Sequence, residues 1–297
     1  MISTSVLLLS MSLLILSSYA NSSPVNIITT IKPLALIAHD IVGKNANITI
    51  LLPENTSPHG YALKPSDIVK IKTADLVVWV GPELELFLDK ILKSQANALQ
   101  LTGYKDMPLK HFHKHESDDH GSHHHASVDG HIWLGPKQSK VIAQAIAESM
   151  SRIDPSNEDD YQRNYQQFIV DVSRSEKDIS SALSANPSKG YFLFHDAYSY
   201  FEDAFDLKPV GYFTVNTEIK PGMKTLLSIR KSLQNKEAQC IFTEPQFNPS
   251  FIESVSNGTG IKLIEIDPMA KDLNIQINSY HDFLMSLGKS YAECFRP

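Results

Sequence analysis

The stretch Asp154–Asn186, DPSNEDDYQRNYQQFIVDVSRSEKDISSALSAN, decides how the rest of the chain is organised. Asp154 followed by Pro155 is a typical helix start, an N-cap residue before a proline at the first helical position. Apolar side chains then recur at helical spacing along one stripe: Tyr161, Tyr165, Phe168, Ile169, Val172, Ile179 and Leu183. A helix of about 30 residues is roughly 45 Å long, more than one small lobe needs. We therefore expect a long rigid helix that connects two lobes.

Strand and helix patterns alternate on both sides of this stretch. The predicted strands are Asn26–Thr30, Asn47–Leu51, Leu76–Val80, Tyr191–Phe194, Val210–Val215, Cys240–Phe242 and Lys262–Ile266, and a last helix is predicted from Asn278 to Phe295. Helix patterns that begin near prolines separate the first three strands. This alternation predicts an α/β fold with two lobes and mainly parallel sheets.

The two predicted lobes have definite bounds. We assign residues 21–153 to an N-terminal α/β lobe, 154–187 to the connecting helix and 188–297 to a C-terminal α/β lobe. No sequence repeat relates the lobes. Because the carboxyl ends of parallel strands open toward a crevice, we expect a ligand site between the lobes.

Residues 1–20 have the pattern of a secretory signal peptide. Val6–Leu16 is almost wholly apolar, and Ser18-Tyr19-Ala20 supplies small residues at a cleavage site. The alternative is an uncleaved membrane anchor, but the apolar run is shorter than the roughly 20 residues that span a bilayer. No cysteine near the cut could carry a lipid. We therefore expect a secreted protein in the periplasm.

Charge and cysteine content narrow the class of protein. The formal net charge is −6 and no basic stripe is present, which argues against nucleic acid as a partner. The chain has two cysteines, Cys240 and Cys294. In an oxidising compartment this pair suggests a disulfide, and the alternative is two buried free thiols.

A His-rich segment, residues 111–125, is the clearest local bias in composition. It holds His111, His113, His115, His120, His123, His124 and His125 among acidic residues, without an apolar period. Tracts of this composition bind metal ions, since neutral imidazole suits zinc, copper and nickel. The alternative is a solvated linker whose histidines have no role.

Three isolated histidines lie where predicted elements end. His59 follows a strand in SPHGY, His131 lies in DGHIWL, and His195 ends the apolar run YFLFH. Taken singly, each is more easily explained as a surface or hydrogen-bonded histidine. Three of them in turn-like settings, in a chain that also carries a His-rich segment, favour a shared metal site. His39 and His281 lie within helical patterns and are interpreted as structural.

These residues also carry a resemblance to a known family. The chain resembles the ZnuA-type zinc-binding proteins, which belong to the cluster A-I solute receptors of ABC importers. The matching stretches are LLPENTSPHGYALKPSDIVKIKTADLVVWVGPELE (51–85), DGHIWLGP (129–136), FLFHDAYSYF (192–201), FTEPQFNPSFIE (242–253) and LIEIDPMA (263–270). They occur in order and with the spacing of the family.

The resemblance implies a fold, a site and a function. It implies two α/β lobes bridged by one long helix, with Zn(II) in the interlobe cleft on His59, His131 and His195. It also implies that the His-rich segment collects metal and that Cys240 pairs with Cys294. The implied role is a monomeric periplasmic receptor, not an enzyme, that captures zinc and delivers it to the membrane permease of an ABC importer.

The fourth zinc ligand is where this chain departs from the family. Some members have a Glu just before the first ligand histidine, and here that position is Pro58. The candidates are water, Asp267, where manganese-type relatives place a carboxylate, and a histidine of the His-rich segment. His195 stands where manganese receptors carry Glu, and three imidazoles favour zinc over manganese.

Two other functions share parts of this pattern. A zinc hydrolase also uses three histidines and a water. Against it, the sequence lacks an H-E-x-x-H signature, and only Glu218 and Glu244 could serve as a base. The second alternative is an adhesin or metal-storage protein on the same fold.

Overall fold

Two separate parallel sheets form the frame of the described residues. The computed structural model describes residues 24–111, 128–184, 190–215, 217 and 219–296. The first sheet has the order β2-β1-β3-β4 and the second β6-β5-β7-β8, and all paired strands are parallel. The strands are β1 Val25–Thr29, β2 Ala46–Ile50, β3 Leu76–Trp79, β4 Ala98–Gln100, β5 Tyr191–His195, β6 Gly211–Thr214, β7 Cys240–Thr243 and β8 Lys262–Glu265. The expected fold class is therefore confirmed.

Helices connect the strands and join the two sheets. They are α1 Lys32–Val42, α2 Pro65–Thr73, α3 Leu86–Leu92, α4 Pro136–Ile153, α5 Glu158–Ser184, α6 Ser199–Ala204, α7 Met223–Gln234, α8 Ser250–Ser256 and α9 Ser279–Phe295. The 18-residue α4 was not anticipated from the sequence. Among the described residues, no helix has both the length and the apolar character that a membrane span needs.

The predicted connecting helix is present as α5, but it starts later than expected. A short 3-10 turn, Pro155–Asn157, precedes it. The Asp154 carboxylate accepts hydrogen bonds from the side chains of Ser156 and Asn157 and from the Tyr161 hydroxyl, at 2.6 to 2.7 Å. Asp154 therefore stabilises this turn, and the α-helix begins at Glu158.

The apolar stripe of α5 is buried against other helices. Tyr161, Phe168, Val172, Ile179 and Leu183 are buried, while Tyr165 and Ile169 are half-buried. Helix α5 packs on α4, α1 and α9. Because α9 follows the second sheet and α1 follows β1, this helical layer ties the two halves of the chain together.

The core is continuous through that helical layer. One apolar cluster extends from Ile27 and Trp79 near the first sheet, through α4 and α5, to Tyr191 and Phe295 in the second half. A smaller cluster covers the other face of the second sheet, around Phe194 and Phe213. The two sheets are therefore held in place relative to each other by a shared apolar core.

The cysteine pair forms the expected disulfide. Cys240 and Cys294 are bonded across a sequence separation of 54 residues, with their Cα atoms 5.6 Å apart. The bond joins the first residue of β7 to the last turn of α9. It attaches the C-terminal helix to the second sheet.

Candidate metal centre

Three histidines from distant parts of the sequence meet between the two sheets. His59 lies in the loop between β2 and α2, His131 precedes the 3-10 turn Ile132–Leu134, and His195 is the last residue of β5. His131 and His195 are buried and His59 is half-buried. Each offers one ring nitrogen to a group whose ligand atoms all lie within 4.8 Å of one another. Among the described residues, no other set of His, Cys, Asp or Glu meets this criterion.

The spacing of the ring nitrogens matches a tetrahedral zinc site. The Nε2 atoms of His131 and His59 are 3.2 Å apart, and those of His195 and His131 are 3.4 Å apart. Zinc–nitrogen bonds of about 2.0–2.1 Å in a tetrahedron place neighbouring ligand nitrogens about 3.3 Å apart. Both of these distances fit adjacent corners of such a site, and the ligand atoms of His59 and His195 lie within 4.8 Å of each other. Three ligands leave one corner of the tetrahedron over.

Asp129 orients the first buried ring. Its Oδ1 accepts a hydrogen bond from His131 Nδ1 at 2.7 Å, and its Oδ2 accepts one from the Ser199 hydroxyl at 2.5 Å. Burial alone would raise the pKa of Asp129, but His131 and these hydrogen bonds hold that pKa below its ordinary value. The carboxylate is thus ionised and accepts only, so His131 Nδ1 carries a proton.

Glu244 orients the second buried ring, that of His195. It follows β7, is 3% exposed, and its Oε1 accepts from His195 Nδ1 at 2.7 Å. From the sequence Glu244 was considered only as a base for a hydrolase or a loop residue. Asp196, the sequence neighbour of His195, is engaged instead with Tyr212. The pairing of β5 with β7 brings Glu244 to the ring across 49 residues, a contact that local sequence does not reveal.

The two carboxylates determine the chemistry of the cluster. With Nδ1 protonated, the Nε2 atoms of His131 and His195 carry lone pairs. Two lone pairs 3.4 Å apart cannot hydrogen-bond to each other, so a cation between them relieves the repulsion. Burial, with the nearby His131 and His195, lowers the pKa of His59 to about 2, so the His59 ring is neutral at pH 7. One ring nitrogen from each of the three histidines therefore faces the same point.

Apolar side chains surround this point. The cavity is lined by the three histidines together with Pro58, Trp133, Phe247 and Met269, and it has about 10 Å³ of space, enough for one ion or water. The Trp133 ring lies beside His131, with centroids 5.4 Å apart, and its Nε1 donates to the Pro268 carbonyl at 2.8 Å. This lining limits access of bulk water and strengthens electrostatic binding inside.

The other predicted site residues lie apart from this cluster or outside the described residues. Asp267 is not among the converging ligand atoms. Its oxygens accept from Gln246 Nε2 at 2.7 Å and from the backbone N–H groups of Met269 and Lys271 at 3.0 and 2.5 Å.

In the His-rich segment, His111 pairs with Val128 in an isolated antiparallel bridge. His113, His115, His120, His123, His124 and His125 lie outside the described residues, as do Glu218 and the predicted signal peptide.

Comparisons with known proteins show the family to which the chain belongs. The family model described as "Zinc-uptake complex component A periplasmic" matches residues 27–294. The high-affinity zinc uptake system protein ZnuA of Yersinia pestis is 38% identical, with 96% of each chain covered. The protein of the same name from Haemophilus ducreyi is 37% identical, covering 96% of this chain and 97% of its own.

A solved structure described as a crystal structure of ZnuA has a TM-score of 0.78 at 24% identity, over 92% of this chain and all of that one. The likeness at this identity supports the fold. The family model and the two relatives each match nearly the whole of the chain. The chain belongs to the ZnuA family.

Proposed function

We propose that this protein captures Zn(II) on His59, His131 and His195 and delivers it to the membrane permease of an ABC-type zinc importer. The observation that carries the proposal is the convergence of three imidazoles whose ligand atoms lie within 4.8 Å of one another, two of them oriented by buried carboxylates. The names of the relatives, high-affinity zinc uptake system proteins, support zinc as the cargo and transport as the role.

The ligand set favours zinc over harder cations. Imidazole nitrogen is a good ligand for zinc, whereas magnesium, calcium and manganese prefer oxygen. The two orienting carboxylates, Asp129 and Glu244, add negative charge next to the ligands without competing for the ion. They also raise the basicity of the coordinating nitrogens.

A receptor explains the site better than a hydrolase does. Hydrolysis needs a general base that reaches the metal-bound water. Asp129 is engaged at both oxygens, by His131 and Ser199. Glu244 Oε1 is engaged by His195, and its Oε2 is buried without a hydrogen-bond partner. Each of these carboxylates orients a histidine ring, which is in keeping with a protein that binds and releases an ion unchanged.

The family and the N-terminal pattern both support a location in the periplasm. The family description places its members in the periplasm. We propose that residues 1–20 direct export and that the exported chain acts there as a monomer. The disulfide between Cys240 and Cys294 fits an oxidising compartment. We also propose that the His-rich segment gathers additional metal ions.

The test is zinc titration by calorimetry at neutral pH, with three proteins. They are the exported chain, a variant without residues 111–125, and the double variant His59→Ala, His195→Ala. We expect the deletion to keep one tight site and the double variant to lose it. Loss of two of three ligands lowers affinity by more than about a thousandfold.

The opposite pattern would overturn the assignment. If tight binding disappears with residues 111–125 and survives in the double variant, the histidine cluster is not the capture site. The protein would then be a metal buffer that depends on its His-rich segment. Circular dichroism of each variant confirms that binding is compared between folded proteins.

A further inference from the structure

Two side-chain oxygens in the metal cavity have no hydrogen-bond partner among the described residues, Oε2 of Glu244 and Oε1 of Gln246. Glu244 already accepts a hydrogen bond from His195 through its other oxygen, whereas Oε1 of Gln246 is buried from solvent and is the only acceptor that its amide has. Gln246 lines the same cavity as His59, His131 and His195. An amide oxygen that is buried without a hydrogen bond destabilises the folded protein, so its presence beside the histidines calls for a ligand.

The orientation of this amide is fixed by Asp267. Gln246 Nε2 donates to Asp267 Oδ1 at 2.7 Å. The same carboxylate accepts from the backbone N–H groups of Met269 and Lys271, so it is held in place as an acceptor. A flipped amide would set its oxygen against a carboxylate oxygen. The Gln246 oxygen is therefore held away from Asp267.

The chemistry of an amide oxygen suits a water on zinc better than the ion itself. Zinc sites are built from nitrogen, sulfur and carboxylate ligands, and neutral amide oxygens suit harder cations. A water bound to zinc is strongly polarised and donates strong hydrogen bonds. Three histidines occupy three corners of the site and leave one corner for such a water.

We propose that Gln246 Oε1 accepts a hydrogen bond from a water molecule that completes zinc coordination, and that Asp267 positions Gln246 for this role. This inference rests on the proposed function. It gives Asp267 an indirect part in place of the direct ligation expected from manganese-type relatives. Pro58 offers no side-chain ligand, which leaves the fourth position open to water.

The proposal has a consequence for the bound water. An amide oxygen accepts a hydrogen bond but takes no proton at neutral pH. It stabilises water over hydroxide on the ion, because a water polarised by the ion is a stronger hydrogen-bond donor than a hydroxide bound to the ion. Gln246 therefore holds the water as an exchangeable ligand and raises the pH at which it ionises.

The experiment compares the exported chain with Gln246→Met, which keeps the length of the side chain and removes the amide. The matched control is Gln239→Met. Gln239 has similar exposure, and its Nε2 donates to the Cys294 carbonyl at the opposite end of β7. Zinc affinity is measured by chelator competition. The visible spectrum of the Co(II)-loaded protein is recorded as a function of pH.

We expect Gln246→Met to lower zinc affinity about tenfold, as for one hydrogen bond to a polarised partner, and Gln239→Met to leave it unchanged. We also expect the pH transition of the Co(II) spectrum to move to lower pH in Gln246→Met only. A purely structural role for Gln246 would not move this transition, because it reports the ionisation of the bound water.

Two results would overturn the inference while leaving the proposed function intact. One is a Gln246→Met protein with wild-type zinc affinity and an unchanged Co(II) transition. The other is a wild-type Co(II) spectrum without any transition, which would mean that no ionisable water is bound. If instead His195→Ala retains tight zinc binding, the proposed function itself fails, and the inference fails with it.

Discussion

The two sheets have the same strand order, but different residues lie at the carboxyl ends of their equivalent strands. In both, the first strand lies between the second and the third, and all strands are parallel. β1 corresponds to β5, and β3 corresponds to β7. β5 ends at the ligand His195, and Glu244 follows β7 and orients it. β1 ends at Thr29, and the first buried acidic residue after β3 is Glu85.

The two carboxyl groups at these edges have different tasks. Glu85 is fully buried, and its Oε2 accepts from the backbone N–H of Val80 at 2.7 Å. Burial raises the pKa of Glu85 to about 7. Glu244, in contrast, receives a hydrogen bond from an imidazole. In both sheets a buried glutamate follows the third strand. Only in the second sheet does the neighbouring strand, β5, end in a histidine that this glutamate can orient. The first sheet supplies its ligands, His59 and His131, from loops.

The largest expected effect is on stability and concerns the disulfide of the second sheet. Among the described residues, the first sheet has no such bond. Replacing Cys240 and Cys294 by serine is expected to lower the free energy of unfolding by about 4 kcal/mol, because a loop of 54 residues is no longer closed in the unfolded chain. Urea unfolding of the metal-free protein measures this. Zinc affinity should be retained, since Cys240 lies at the opposite end of β7 from Glu244. A change below about 1 kcal/mol would contradict the expectation.

The second prediction concerns how Glu85 makes the free energy of unfolding depend on pH. The pKa of Glu85 is raised from 4.5 to about 7 in the folded state, so folding favours its protonated form. Its contribution to stability is complete below pH 4.5 and is lost as the pH rises to 7. Relative to Glu85→Gln, the metal-free wild type should lose about 3 kcal/mol over this range. Urea unfolding at several pH values tests it, and parallel curves for the two proteins would refute it.

The third prediction compares the two carboxyl groups directly in zinc binding. Glu244→Gln should lower zinc affinity about 10- to 100-fold, because His195 loses the carboxylate that fixes its tautomer and raises its basicity. Glu85→Gln is the matched control and should leave zinc affinity within about twofold, since Glu85 contacts none of the three histidines. Chelator competition at pH 7 measures both. Equal losses in the two variants would mean that the edges are not functionally different.

Much of the fold could be predicted because its strands are short, strongly apolar runs. Leu76–Trp79 and Tyr191–His195 are buried along their whole length and are bounded by turn residues. β4 was missed because Ala98–Gln100 is three residues long and has no period. Helix α4 was missed because its buried face includes alanines and the polar Gln138, Ser139 and Ser149, which weaken the helical pattern.

The ligand histidines could be proposed from sequence, but their partners could not. His59, His131 and His195 stand at turns with neighbours that resemble one family, and the structure brings the three side chains together. Asp129 lies two residues from its ring, so the pair could be suspected. The contacts of Glu244 with His195 and of Gln246 with Asp267 span 49 and 21 residues. They depend on which strand ends become neighbours, which only the folded sheet determines.

The distances along the chain between the three histidines couple the ion to folding. Neighbouring ligands are separated by 72 and 64 residues, so an unfolded chain that gathers them must close two long loops. An ion at this site therefore binds the native state in preference to the unfolded state and stabilises it by mass action. The seven histidines of the His-rich segment lie within 15 positions of the sequence, and the metal binding proposed for them needs no long loop to close. If they bind zinc in the unfolded chain as well, the gain in stability from zinc is smaller than the affinity of the central site alone would give.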